Sequence, residues 1–160
     1  DVQDIYIYIH SDGGDVECAM AMIDEINLVN DMGKNVYTIA YGIAASAAAY
    51  ILAYGKKRFG SENSTYMLHP FSYKLDDYHS EIKEYVDFCD QFHNKVIVDV
   101  AMRCKKTTAR TIDKFTKQVR NSLWLDTDSA IEIGLIDEKW TNELEKGIDV
   151  KQRRIRKSTK

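Results

Sequence analysis

The sequence predicts an α/β fold built on a mostly parallel sheet, and two observations carry that prediction. Three apolar, β-branched or aromatic segments, residues 5–9, 35–40 and 65–68, alternate with segments whose apolar residues recur at helical spacing. Each of the three runs straight into a turn or a helix start: His10 to Asp15, Tyr41 to Ser46, and His69-Pro70. A strand–helix–strand order joins neighbouring strands in parallel and lays helices over them, so residues at the strand ends gather at one edge of the sheet.

The elements follow in order. Ile5-Tyr6-Ile7-Tyr8-Ile9 reads as a buried strand. The turn after it contains Gly13 and Gly14, which admit backbone angles closed to other residues. Residues 16–29 form a helix with Cys18, Ala19, Met22, Ile23, Ile26 and Val29 on its apolar face. After a short loop at 31–34 comes the second strand, and an alanine-rich helix follows over 46–54. Lys56, Lys57 and Arg58 read as a solvated basic loop before a short edge strand, and the third strand ends at His69. Residues 71–78 are polar and irregular. The long helix at 79–102 sets Ile82, Tyr85, Val86, Cys89, Phe92, Val96, Ile97 and Val100 opposite Glu81, Glu84, Asp87 and Asp90. Its length suits packing within the domain or an arm onto another subunit. Residues 107–119 form a helix capped by Thr107, and 126–133 a short helix ended by Gly134, after which Leu135 and Ile136 return to the core.

The expected organisation is one domain over residues 1–140 and a basic, flexible tail over 141–160, carrying Lys151, Arg153, Arg154, Arg156, Lys157 and Lys160. The chain opens at Asp1 directly before a strand, so a further N-terminal segment is expected ahead of it. A net charge of −3 gives no general attraction to nucleic acid. The longest apolar stretch, 39–53, is interrupted by Gly42 and Ser46 and is too short to span a bilayer. Cys18, Cys89 and Cys104 form no CxxC and no metal-ligand spacing, which suits a reducing compartment such as the cytoplasm and implies no metal.

Ser46 lies between a strand and a helix, within Gly42-Ile43-Ala44-Ala45-Ser46-Ala47. A serine there is either a simple N-cap or a nucleophile presented on a sharp turn beside oxyanion-binding amides. His69 closes the strand that follows the Ser46 segment. His10, after the first strand, and His79 have no such support, and His93 is expected on the surface of the long helix or at a subunit contact.

Four segments in order resemble the proteolytic subunit of the Clp protease, ClpP. They are the strand 5–9 leading into Ser11-Asp12-Gly13-Gly14; Gly42-Ile43-Ala44-Ala45-Ser46-Ala47; Met67-Leu68-His69; and Ala130 through Gly134-Leu135-Ile136-Asp137. The resemblance covers residues 4–137 and implies a ClpP/crotonase-like fold, with repeated β-α units and a protruding handle helix at about 71–104. It makes Ser46 the nucleophile, His69 the general base and then acid, and the amides of Gly14 and Ala47 the oxyanion hole. It makes residues 71–78 the strand that pairs with an extended peptide, and Tyr6 and Tyr8 part of the pocket where an AAA+ unfoldase docks. It further implies unfolded polypeptide as substrate, a homo-oligomeric ring (heptamer or tetradecamer), and no cofactor of the chain's own, ATP being used by the unfoldase. The location implied is cytoplasm, organelle stroma or matrix, or host cytoplasm for a phage protein.

Two departures accompany the resemblance. Counted back from Gly134, the family's triad aspartate falls on Ser122, or on Asn121 if one residue is inserted; two nearby carboxylates, Asp113 and Asp126, sit in a helix and at a helix start. Asp12 stands where the family has proline. Three readings follow: a serine endopeptidase weakened by the missing carboxylate, a catalytically inactive structural or regulatory ring subunit, and a crotonase-type acyl-CoA enzyme, to which a Ser46/His69 pair is an odd fit.

Overall fold

In the computed structural model, which describes residues 4–72, 79–105 and 108–147, one strand organises the sheet. That strand is β2 (Val36–Ala45), ten residues long, and it pairs with three others. β1 (Ile5–Ser11) runs parallel along one side of it. β3 (Lys57–Gly60) and β4 (Thr65–Leu68) run parallel along its first and second halves. β5 (Leu123–Asp126) adds antiparallel to β4, and β6 (Glu138–Lys139) parallel to β3. The predicted, mostly parallel sheet is therefore present. The second strand runs five residues past its expected end, up to Ser46, and β5 is an element the sequence reading missed. β2 bends where its register against β1 jumps, from Ile9↔Ala40 to Ser11↔Ala44. Gly42 sits in that bulge at φ 93°, with the His10 ring so close that a Cβ would meet Nδ1 at 2.6 Å.

The period of two along the strands divides two apolar layers. Val36, Ala40, Ile7 and Ile9 face the main core, against α1 (Val16–Asp31), α2 (Ala47–Ala53) and the end of α3 (His79–Arg103). Ile39 and Phe59 face an aromatic layer with Trp140, packed by Tyr6, Tyr37 and Leu144. Among the described residues β1 pairs only with β2, and there it is not the buried strand its composition suggests: Ile9 is buried, whereas Ile5 and Tyr8 are exposed. On α1, Ala19, Ile23 and Ile26 are buried as predicted, but Cys18 and Met22 are exposed. On α3, Cys89, Val96, Ile97 and Val100 are buried, while Tyr85 stands 42 % and Phe88 64 % exposed. No described helix is long and apolar enough to cross a membrane.

Three local expectations are corrected. The basic loop is not solvated at Arg58, which is buried in β3, and β3 is an interior strand between β2 and β6. The cap of α4 (Ala109–Arg120) is Thr108, whose side chain accepts from Thr111 N in a capping box; Thr107 lies outside the described residues. Asp126 is the N-cap of α5 (Thr127–Ile133), accepting from Ser129 N at 2.8 Å, and that helix ends at Gly134 as expected. Residues 142–147 are helical, and Glu145 accepts from Trp140 Nε1 at 2.9 Å; the rest of the expected tail, 148–160, lies outside the described residues.

Arg58 and Asp137 tie the sheet to the C-terminal end of α3. The guanidinium donates to both Asp137 oxygens (3.0 and 2.7 Å) and to Arg103 O (3.1 Å), and Arg58 N also donates to Asp137 (2.9 Å). Burial would raise the Asp137 carboxyl, but the Arg58 hydrogen bonds and charge outweigh it and hold the carboxyl below its ordinary value. Removing one partner of such a pair strands a buried charge, at about 3–5 kcal/mol. Asp137→Ala is therefore expected to lower the unfolding free energy by roughly 3 kcal/mol in chemical denaturation, with Arg58→Met less damaging because the carboxylate it strands is partly exposed and has Lys105 at 4.0 Å.

Candidate active site

Strand register builds this site. Ala45, the last residue of β2, pairs with Met67 of β4, and Ser46 N donates to Met67 O at 2.8 Å. The two chains leave the sheet side by side, Ser46 into the start of α2 and His69 one residue past β4. The result is a direct contact: His69 Nε2 and Ser46 Oγ are 2.8 Å apart. With the ring proton on Nδ1, Nε2 accepts the hydroxyl proton, as a general base must.

Ser46 has φ 55° and ψ −128°, a conformation that costs a non-glycine residue about 1–3 kcal/mol. It holds the N-cap position of α2 yet makes no side-chain cap bond, so the hydroxyl is left to His69 and the simple N-cap alternative does not describe it. The turn after β1 presses against this one. Gly13 has φ +112°, and a Cβ there would lie 2.6 Å from Ser46 Cβ and 2.8 Å from Ala45 O. Only glycine meets both demands.

Gly14, Ala47, Ser46 and His69 line one cavity of about 410 Å³ with Asp15, Glu17, Phe71 and Tyr85. The Ala47 N–H belongs to the first turn of α2, whose leading amides have no partner within the helix. Asp12 is exposed and lies outside the lining.

Tyr50, buried on α2, donates its hydroxyl to His69 O at 2.9 Å and sets its ring edge-on to Phe71, centroids 5.4 Å apart. Phe71 in turn meets the ring of His93 at 4.6 Å. His93 is thus not on the helix surface. It is buried (7 % exposed), and its Nε2 has no hydrogen-bond partner among the described residues. Burial lowers its pKa from the ordinary 6.5, with Arg120 and His69 acting the same way against Asp90. The sequence held a signal for both residues. Tyr50 is four residues after Ser46, and His93 is four from Cys89 and from Ile97, on the buried stripe of α3.

The residues at the family's aspartate position lie as follows. The β4–β5 register ends at Leu68↔Leu123, so His69 and Ser122 are the residues that adjoin its last pair. Ser122 has φ 59°. Asn121 caps the C-terminus of α4 and donates to Lys117 O at 3.3 Å. Among the described residues neither is hydrogen-bonded to His69. Asp113 pairs with Lys117 and Asp126 caps α5, so neither substitutes. Tyr6 packs in the aromatic layer, its hydroxyl pushed up to about 12 by burial first and Asp4 second. Tyr8, 49 % exposed, lines a shallow concavity of about 390 Å³ with Tyr41 and Glu145. Of the segment 71–78, only Phe71 and Ser72 are described.

A family model described as Clp protease matches residues 1–143. The chain is 32 % identical over 148 residues to the ATP-dependent Clp protease proteolytic subunit 2 of Treponema pallidum, covering 91 % of this chain and 69 % of that protein. It is 33 % identical over 138 residues to proteolytic subunit 1 of Streptomyces coelicolor (85 % and 60 %). It is 33 % identical over 137 residues to proteolytic subunit 2 of Treponema denticola (82 % and 64 %). The chain thus spans about two thirds or less of the length of these relatives.

His93 generates a pH prediction. In the unfolded chain it takes up a proton near its ordinary pKa of about 6.5, whereas the folded state resists protonation until lower pH. Its contribution is therefore complete above about pH 6.5 and is lost as pH falls through the depressed folded value. Denaturation at about pH 7.5 and pH 5.5 is expected to show a larger loss of stability in the unmodified protein than in His93→Leu. Equal losses would remove His93 from the account.

Proposed function

The chain belongs to the Clp protease family, and from that premise we propose that it is a serine-type endopeptidase subunit of the ClpP kind, hydrolysing unfolded polypeptide in an oligomeric chamber. The observation that carries the reading is the Ser46–His69 contact of 2.8 Å on a strained turn facing an open cavity. Ser46 Oγ attacks the scissile carbonyl while His69 takes its proton, then returns it to the leaving amine. The amides of Gly14 and Ala47 receive the oxyanion. The peptide lies extended along the segment that begins at Phe71, by strand addition. No cofactor of the chain's own enters these steps; ATP is used by an AAA+ unfoldase, which docks at the face carrying Tyr6 and Tyr8. The chain works as a homo-oligomeric ring, heptamer or tetradecamer, in the cytoplasm or an equivalent compartment.

A second reading, a ring subunit that shapes the chamber without cleaving, draws on one observation: the residue that the resemblance sets at the triad aspartate is Ser122, which has no carboxylate. In chymotrypsin-type enzymes, replacing that carboxylate by an amide lowers kcat about 10⁴-fold.

One experiment separates the readings. A fluorophosphonate probe and a fluorogenic peptide are applied to the assembled protein, to Ser46→Ala and to Ser122→Asp. The peptidase reading expects labelling that vanishes in Ser46→Ala, with peptide hydrolysis down by roughly 10⁴-fold or more. It expects Ser122→Asp, which restores a carboxylate at the family's aspartate position on a left-handed backbone that Asp tolerates, to raise turnover by about tenfold or more. A folded ring that is never labelled, even as Ser122→Asp, would establish the non-catalytic reading.

A further inference from the structure

The cavity beside Ser46 has an uneven charge that the reaction itself does not require. One wall is the first turn of α1, with Asp15 and Glu17; facing it on α3 is Tyr85, 42 % exposed. These groups sense one another. Asp15 interacts with the Glu17 carboxyl, and both acids push the Tyr85 hydroxyl up, after the larger effect of Cys89. Asp15 stays ionised, held below its ordinary value chiefly by the hydrogen bond from Cys18 N at 2.8 Å. No lysine or arginine lines the cavity among the described residues. Nor do any three His, Cys, Asp or Glu side chains gather there, among the described residues, in a way that could hold a metal ion. What two carboxylates and an aromatic ring around an open cavity do accommodate is an organic cation, paired to the acids and lying against the ring.

We propose that Asp15 and Glu17 are specificity-determining residues, and that the site selects polypeptides carrying lysine or arginine next to the scissile bond. The inference rests on the peptidase reading for the cavity's role, and it names the substrate class. An apolar side chain at that point would desolvate two acids without a partner; an acidic one would be repelled by both. An exposed ion pair contributes a factor of up to about five, and two contribute about tenfold in affinity.

The test reads binding rather than turnover, so it stands apart from catalysis. Fluorescent hexapeptides that differ only in Arg, Leu or Glu at the position flanking the intended scissile bond, on either side, are titrated by anisotropy onto the full-length Ser46→Ala protein. The Arg peptide is expected to bind about tenfold more tightly than the Glu peptide and severalfold more tightly than the Leu peptide. The margin should shrink as salt is raised. In a Glu17→Gln background, and in Asp15→Asn, which keeps a good N-cap, the Arg-to-Glu ratio is expected to fall severalfold. Equal binding of the three peptides, a Leu preference, or a ratio unmoved by both substitutions overturns the proposal. Probe labelling of the unmodified protein is read separately: Arg preference without labelling keeps the cation-binding role of Asp15 and Glu17 and removes the peptidase reading, whereas labelling without Arg preference does the reverse.

Discussion

The parallel register between β2 and β4 is the constraint on which the site depends. Ala45 opposite Met67, fixed by the bond from Ser46 N to Met67 O, is what brings a serine and a histidine 23 residues apart to within 2.8 Å. A slip of one residue would turn every side chain of the strand to the other face and separate the pair. The register is specified from both sides. Val36 and Ala40 belong to the main core and Ile39 to the aromatic layer, so β2 cannot shift without exposing one layer or the other. The Gly42 bulge then lets β1 rejoin β2 at Ala44, which lays the Gly13 turn against Ser46.

From that anchor the supporting shell follows outward. Tyr50 fixes the carbonyl of His69, Phe71 packs on Tyr50, and His93 packs on Phe71. The chain of contacts joins α2, the strand end and α3, so the histidine's position is determined by packing from two helices as well as by β4. Arg58 and Asp137 perform the corresponding task at the opposite end of the sheet, locking β3 to the segment after α5 and to the carbonyl of Arg103.

Much of this was legible in the sequence, for physical reasons that differ by element. Strands 5–9 and 65–68 and the core of α1 were readable because apolar periodicity is local. Ser46 and His69 were readable because strand-end residues in a parallel sheet share an edge. β5 was not, because Leu123-Trp124-Leu125-Asp126 is four residues long and becomes a strand only by pairing with β4. Arg58 was misread because a basic residue after two lysines looks solvated until its partner, 79 residues away, is known. His93 was misread as surface because its polarity was weighed above its place on the apolar stripe.

The strain at Ser46 bears on which function the fold serves. A residue at φ 55° and ψ −128° costs about 1–3 kcal/mol, and here the side chain returns no cap bond to α2. A subunit needed only for shape would gain by a glycine at that point, which carries no such strain and caps a helix nearly as well as serine. What the serine obtains for that cost is its contact with His69 and its place in the open cavity. Ser122 supplies the counterweight, since it is no carboxylate at the position the resemblance assigns to the triad aspartate. The two facts act on different terms. In the proposed mechanism the serine turn and the adjoining amides set the oxyanion stabilisation, which by itself leaves about 10³–10⁴-fold over water when triad members are removed. The carboxylate sets only the tautomer and the charge on the imidazole. A site built in this way retains the machinery that is hard to assemble and lacks the part a single substitution at Ser122 could supply, which is why the geometry favours a slow peptidase over a structural relic.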